Sequence, residues 1–513
     1  MNILFVSDTS VCLELDNNSC YYANEPFEVV INGEKQEKKY KENVFSLFGL
    51  LPDCDYTVEA AGEKVTFRTE RECSMCINVQ KQGAVGDGKS EDTAVLQACI
   101  DACPSGGKIY VPKGVYKIAP LTLKSNITIE IAKGAVLCGV TDVEKYPVRA
   151  ATAISEDGTA YIKETFEGEV LPCRASLLHG YGVTNVRIIG QGAIDGNAQS
   201  STWWTKEYKN RSIGRPRLVF LNGCKNILFH GITVQNAAAW TIHPFLCENV
   251  SFYDVSIYSP ATDAPNTDGI DPDCCNGVNI VGCRLSTGDD CIAIKSGKRE
   301  LAEQLKTVAD KHTIRNCLME RGHGAVVLGS EIGCGVRELS VTQCMFDQTE
   351  KGLRIKTRRG RGKLSVIDGV VFENLKMNGV ITPFVINMYY NCGAGGKTEY
   401  VWSREMREVD DDTPFVGSVT FRNIECKNCI CMAGYFDGLV ESPIKRVEIE
   451  NVSFHFKMDA ELCTPATLSF VKAYSRGGLY FDNVEGIIIK NVHFENVDGE
   501  EIILKNYSSY QRI

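Results

Sequence analysis

The stretches NILFHGITV (226–234) and NVSFYDVSI (249–257) decide the fold. Each opens on a turn-forming Asn and runs into apolar residues at every second position, the spacing of a half-buried strand. The same pattern recurs in NVRIIG (185–190), GVNIVGCRL (277–285), HTIRNCLM (312–319), ELSVTQCMF (338–346), GVVFENLKM (369–377), SVTFRNIEC (418–426), RVEIENVSF (446–454) and GIIIKNVHF (486–494). Copies follow one another at roughly 20–50 residues, the range of stacked repeats. Each copy holds two short strands joined through a pair such as Asn-Val, Gly-Ile or Asp-Val. A propeller would show two-residue hairpin turns instead. The expectation is therefore an all-β chain dominated by a right-handed parallel β-helix, with coils stacked at about 4.8 Å.

Before the repeats, GDGKSEDTAVLQACIDAC (86–103) is a glycine-rich turn followed by a helix pattern, with Ser90 as the expected N-cap and Ala94, Leu96, Ala98, Ile100 and Ala102 on the apolar side. A helix there would cover the apolar end of the array. The first 75 residues differ again: CLEL, FEVVING, VFSLFGL, YTVEA and KVTFRT alternate with turns, as in a small β-sandwich. Leu50, Pro52 and Tyr56 in LLPDCDYTVEA resemble the corner of fibronectin type III domains, in which the tyrosine hydroxyl bonds back to the backbone. The division expected is 1–75 for a fibronectin type III-like sandwich and 76–513 for the β-helix.

The net charge of −10 over 513 residues argues against general binding to nucleic acid or to anionic membranes, both of which require excess Lys and Arg. The N-terminus MNILFVSDTS lacks the pattern of a secretory signal, and no apolar run reaches about 18 residues. With 23 cysteines, this reads as a reduced, cytoplasmic protein. The CxxC of Cys73 and Cys76, and the group Cys426, Cys429 and Cys431, are expected to be small core hydrophobes rather than metal ligands.

Four segments in mid-array carry charge at strand starts: APNTDGIDPD (264–273), STGDDCIAIKSG (286–297), RGHGAVVLGS (321–330) and GLRIKT (352–357). Asp268 and Asp289 are 21 residues apart, about one coil. In-register stacking brings Asp268 and the Asp289–Asp290 pair to adjacent coils, with His323, then Arg354 and Lys356, beyond. Aspartates are common at turns, but two adjacent carboxylates facing a third repel one another, which folding alone has no use for. Such clustering is expected to raise a pKa, which chemistry can use.

In this order NTD (266–268), GDD (288–290), GHG (322–324) and RIK (354–356) resemble the four signatures of polygalacturonases, glycoside hydrolase family 28. The stretches GDGKSEDTAVLQACIDAC, RPRLVFLNGCKNI and AAAWTIHP (237–244) are similar to the family too. The resemblance spans roughly residues 76–500. It implies inverting hydrolysis of galacturonic-acid linkages without metal or cofactor. Asp289 is then the general acid, expected to stay protonated through its negative neighbours, Asp268 and Asp290 activate water, and His323 supports the acid. Asn266 belongs to the substrate site, Arg354 and Lys356 bind the substrate carboxylate, and Tyr389 or Tyr390 contacts the sugar. An inverting site should leave room for water, with carboxyls about 6.5–9.5 Å apart.

The run KTRRGRG (356–362), with Arg358, Arg359 and Arg361, is expected to add uronate subsites, and Lys295 and Lys298 to extend the same positive funnel. His243 and Trp240 are candidates for the cleft lining, and Trp203 and Trp204 for stacking or for core. Long insertions at 197–217 and 395–414 exceed a minimal β-helix, and the pattern looks like bacterial exo-acting members. The expected partner is a galacturonic-acid oligosaccharide or pectin fragment; the sequence leaves the oligomeric state open. Competing readings are a rhamnogalacturonan or xylogalacturonan hydrolase, a pectate lyase on the same fold, and a non-catalytic carbohydrate-binding β-helix.

Overall fold

The computed structural model describes residues 1–155, 157–209, 214–260 and 264–513. From Cys76, which pairs beside Lys108, the chain winds in coils whose strands lie parallel to those of the next coil. Register is kept along the stack. Val186 lies beside Ile227, followed by Val250, Val278, His312, Leu339, Val370, Val419, Val447 and Ile487. This column faces the dry interior. His312 interrupts it, and burial pushes its pKa down to about 4, so it stays neutral there.

The recurrent Asn has a physical reason. Asn126, Asn185, Asn226 and Asn249 all take a left-handed φ of 55–58°, which Asn accepts more readily than most residues. Stacked in register, their amides join: Asn185 donates to Asn126 (2.8 Å), Asn226 to Asn185 (3.0 Å) and Asn249 to Asn226 (3.3 Å). Asn374, Asn423, Asn451 and Asn491 form a second such column. Inside, rings stack coil on coil, with Phe229 5.0 Å from Phe252, Phe384 4.0 Å from Phe421 and Phe436 4.7 Å from Phe481.

The two ends differ. At the first, the helix Thr93–Ala102 covers the core with Leu96, Cys99 and Ile100. Its N-cap position is held by Asp92 rather than by the expected Ser90. The Ser90 hydroxyl is drawn into the preceding turn by Asp87 (3.1 Å), and the Asp92 carboxylate accepts the Val85 and Gly86 N–H groups. At the other end, Ile502–Arg512 is the outermost rung among the described residues and is mostly exposed.

Residues before Cys76 form two antiparallel sheets, Asn2–Val6 with Ser10–Glu14 and Val44–Phe48, and Tyr22–Ile31 with Glu34–Glu42, Asp55–Ala60 and Glu63–Arg68. They enclose their own core of Val11, Leu13, Phe27, Val29, Phe45 and Val58. The Tyr56 hydroxyl accepts the Leu51 N–H at 2.8 Å. This unit docks on the bends between the first two strands of successive coils. Glu14, 4% exposed, receives Arg315 through two nitrogens (2.7 and 2.8 Å) and the Asn316 amide (2.8 Å). The Ser46 hydroxyl donates to Asp254 at 2.6 Å. Every cysteine is a free thiol, and most are buried.

Removing one partner of a buried pair strands the other charge. Arg315→Met is therefore expected to lower stability by about 2–4 kcal/mol in chemical denaturation. Arg446→Met, which breaks an exposed pair with Glu448, should change it by less than about 0.5 kcal/mol.

Candidate active site

A backbone ladder sets the acids. The Thr241 N–H donates to the Asp268 carbonyl (2.9 Å), Gly269 N–H to that of Asp290 (3.0 Å) and Cys291 N–H to that of Gly324 (2.8 Å). Asp268, Asp290 and Gly324 thus share a position on three adjacent rungs. One oxygen from each of Asp268, Asp289 and Asp290 lies within 4.8 Å of the other two. Asp268 and Asp290 are 4% and 1% exposed, whereas Asp289, in the bend just before Asp290, turns outward to the cleft with its side chain 20% exposed. The glycines of the motifs have steric causes. A Cβ on Gly324 would stand 2.3 Å from the Val327 side chain and 3.2 Å from Asp290 Oδ1, and one on Gly288 2.4 Å from the Ala264 carbonyl. The nearest oxygens of the three acids approach this closely because neighbouring rungs are only about 4.8 Å apart and all three side chains converge.

Three cations face them. Lys356 Nζ donates to Asp290 Oδ2 at 2.7 Å, and Arg354 stands 3.6 Å from Oδ1, which accepts no hydrogen bond from the described residues. Lys295, 3% exposed, lies 3.8 Å from Asp268, 3.4 Å from Asp271 and 3.3 Å from Glu331. His323 Nδ1 is 3.1 Å from Asp289 Oδ1, and its Nε2 is 3.8 Å from Glu350. The Asn266 N–H reaches Asp289 Oδ2 at 3.3 Å.

The charges distribute differently from the expectation. Burial pushes Asp289 upward, but the His323 hydrogen bond and charge, with Lys356 and Lys295 behind them, outweigh it and hold the carboxyl at about 2. The raised acid is Asp268, lifted well above the carboxylate range by burial first and then by Asp271 and Asp289. Burial likewise brings Asp271 up to about 7. The like-charge effect therefore falls on the deeper carboxyls, where no hydrogen-bonded imidazole offsets it. His323 is raised by its hydrogen bond to Asp289.

The remaining residues separate into those at the cleft and those used by the fold. Tyr390 lies beside Arg354 and Lys356, its ring centroid 5.9 and 5.7 Å from their charged groups. Tyr389 is 1% exposed, with the Arg404 guanidinium over its ring at 3.7 Å, away from the carboxylates. Arg359 is saturated by Glu441 (2.5 and 2.8 Å) and the carbonyls of Tyr400 and Ser403, so it has nothing left for a substrate. Arg358 donates to the Cys392 and Ala394 carbonyls. His243 is buried between Arg217 and Asp273, its pKa lowered to about 4 by burial. Trp240 lies under Lys295 Nζ at 4.3 Å, Trp203 is in the core, and Trp204 carries Arg215 over its ring.

Sequence reasoning missed Asp271, Glu331, Arg215 and Thr467. Arg215 holds the Asn266 side chain (2.7 Å), and Thr467 accepts Arg354 Nη2 (2.8 Å). The acid spacing in TDGIDPD was a usable signal for Asp271; Thr467, 113 residues beyond Arg354, offered none. The hairpin Thr165–Phe166/Glu169–Val170 lies beside the cleft. Its Gly168 carbonyl accepts the Lys298 N–H (3.0 Å), and Phe166 stacks on Trp240 at 6.1 Å.

Residues 109–464, more than half of the chain, match the profile of glycosyl hydrolases family 28. The chain belongs to this family. Family 28 relatives include a probable polygalacturonase of Vitis vinifera, 28% identical over 77% of each chain. An exo-poly-alpha-D-galacturonosidase of Dickeya chrysanthemi is 28% identical, over 63% of this chain and 58% of that one. Among solved folds, the family 28 exopolygalacturonase of Yersinia enterocolitica superposes with a TM-score of 0.71 at 20% identity, over 99% and 97% of the two chains. The hyperthermoactive exopolygalacturonase of Thermotoga maritima gives 0.66 at 25% identity, over 83% and 93%.

His323→Gln removes the cation that stabilises ionised Asp289. The Asp289 carboxyl should then titrate about one pH unit or more above its wild-type midpoint, as read by carboxyl NMR. An unmoved midpoint would show that the imidazole is not what depresses it.

Proposed function

We propose that this chain hydrolyses α-1,4 linkages of oligogalacturonides from the non-reducing end, with inversion. The observation that carries the reading is the convergence of Asp268, Asp289 and Asp290, one oxygen of each within 4.8 Å of the others, beside Arg354, Lys356 and Lys295. A glycoside bond needs one carboxyl that gives a proton and one that takes one. Asp289 faces the cleft and shares a proton with His323, so the pair is a reservoir: the imidazole holds the proton in the free enzyme, and Asp289 delivers it to the leaving oxygen. Asp290 Oδ1 is free to accept from a water held between it and Asp268, which attacks the sugar. The cations offset the charge that a uronate brings, and Arg354 can meet a carboxylate through two hydrogen bonds. Tyr390, rather than Tyr389, is the tyrosine that touches the sugar.

The exo mode is supported by the hairpin at 165–170, packed against Trp240 and Lys298 beside the acids, and by relatives named as exo-acting. We also infer a cytoplasmic location, supported by the abundance of free thiols, which an oxidising compartment would pair. The two-sheet N-terminal unit with its Tyr56 corner supports a fibronectin type III-like assignment for it.

Asp289→Asn should lower kcat by about 10³-fold or more while the fold is kept. On oligogalacturonides of defined length the wild type should shorten chains stepwise from the non-reducing end, and NMR of the first-formed sugar should show the β anomer. Fragments of random length would sink the exo mode. A calcium-dependent, UV-absorbing unsaturated product would sink hydrolysis itself.

A further inference from the structure

The cleft face continues past the acids. Arg354 is in register with Val385, Val385 with Tyr435, and Tyr435 with Tyr480. At about 4.8 Å per rung, Tyr480 stands about 14 Å along the axis from Arg354. A cavity of about 290 Å³ opens there, at the small end of the range for ligand sites and nearer to one sugar than to a chain. Its floor is Tyr435 and Tyr480, whose rings stack at 4.9 Å and 8°. At its rim Phe470 is 84% exposed, set edge-to-face against Trp402.

The charges around this floor are unevenly matched. Asp437 is held by Arg404 through both oxygens (2.5 and 2.8 Å), and Asp482 accepts the Tyr480 hydroxyl (3.0 Å) and the Asn506 amide (2.8 Å). Lys472 has no ion-pair partner among the described residues, and Lys505 only stands over the Tyr480 ring at 5.2 Å. Aromatic faces beside unpaired ammonium groups suit a sugar that carries a carboxylate.

The cavity shares a wall with the cleft. Thr467 binds Arg354 through its hydroxyl and Asn387 through its carbonyl (2.8 and 2.9 Å), and Leu468–Lys472, the next residues, line the cavity. The hairpin at 165–170 contacts Trp240 and Lys298, on coils that precede Arg354, whereas this cavity lies on coils that follow it.

We propose that this cavity is a distal subsite for an acidic saccharide, in which a uronate ring rests against Phe470 and the tyrosine floor and pairs its carboxylate with Lys472 and Lys505. It rests on the galacturonide reading above. Its function is to retain long oligomers whose far end has crossed the Thr467 ridge.

The test compares KM for a galacturonate dimer and for an oligomer of about ten residues. The double variant Lys472→Gln/Lys505→Gln should raise KM for the long substrate about fivefold and leave the dimer and both kcat values unchanged. Phe470→Ala should act in the same direction at a salt concentration that screens the lysines. Equal effects on both lengths, or none on either, would overturn the distal subsite while the activity itself stands. No turnover of either length by the parent enzyme would sink the galacturonide reading and this subsite with it.

Discussion

Parallel backbone pairing between coils, held in register over more than ten rungs, is the constraint on which everything else rests. It places residues far apart in sequence at a fixed spacing of about 4.8 Å and makes each side chain's direction a matter of odd or even position. Asp268 and Asp290 converge because their rungs are neighbours and their carbonyls accept from consecutive rungs. Lys295, just after the strand Ile292–Ile294, reaches Asp268, and Lys356, at the end of the strand Lys351–Lys356, reaches Asp290, because these two strands bracket Val326–Leu328. The Asn columns help fix this register at the bends, where the left-handed residue of each coil is hydrogen-bonded to that of the next.

The electrostatics follow from depth within that stack. Four carboxyls crowd one site. The outermost, Asp289, is held ionised by an imidazole, while the innermost, Asp268 and Asp271, lose hydration and are pushed up. Lys295 is buried among acids that offset its own desolvation. A site arranged in this way stores protons at two depths, which suits chemistry that must give one proton and take another within a single event.

How much was legible in the sequence depended on how local the signal was. The apolar alternation after Asn marked the strands, because the bend that calls for Asn recurs on every coil. The NTD, GDD, GHG and RIK triplets marked the cleft, since acids and obligatory glycines lie within three residues of one another there. Competition between partners was not legible. KTRRGRG reads as a row of equivalent cations, but Glu441 claims Arg359 and backbone carbonyls claim Arg358. Tyr389 and Tyr390 are adjacent letters whose rings meet different partners, one Arg404 and the other the cleft cations Arg354 and Lys356. Ser90 had the chemistry of a cap, but the Asp87 turn took its hydroxyl. In each case the deciding partner sits on another element or in a preceding turn, and a neighbourhood search along the chain does not reveal it.

The unequal ends of the solenoid have a consequence for self-association. The helix Thr93–Ala102 lies over the core at the first coil, whereas Ile502–Arg512, the outermost rung among the described residues, pairs with Gly477–Glu495. Among the described residues of the solenoid that rung offers one flank for sheet-edge addition, besides the edge strands of the N-terminal sheets. Two molecules joined there would each cover the other's outermost rung, so contact through this flank is pairwise.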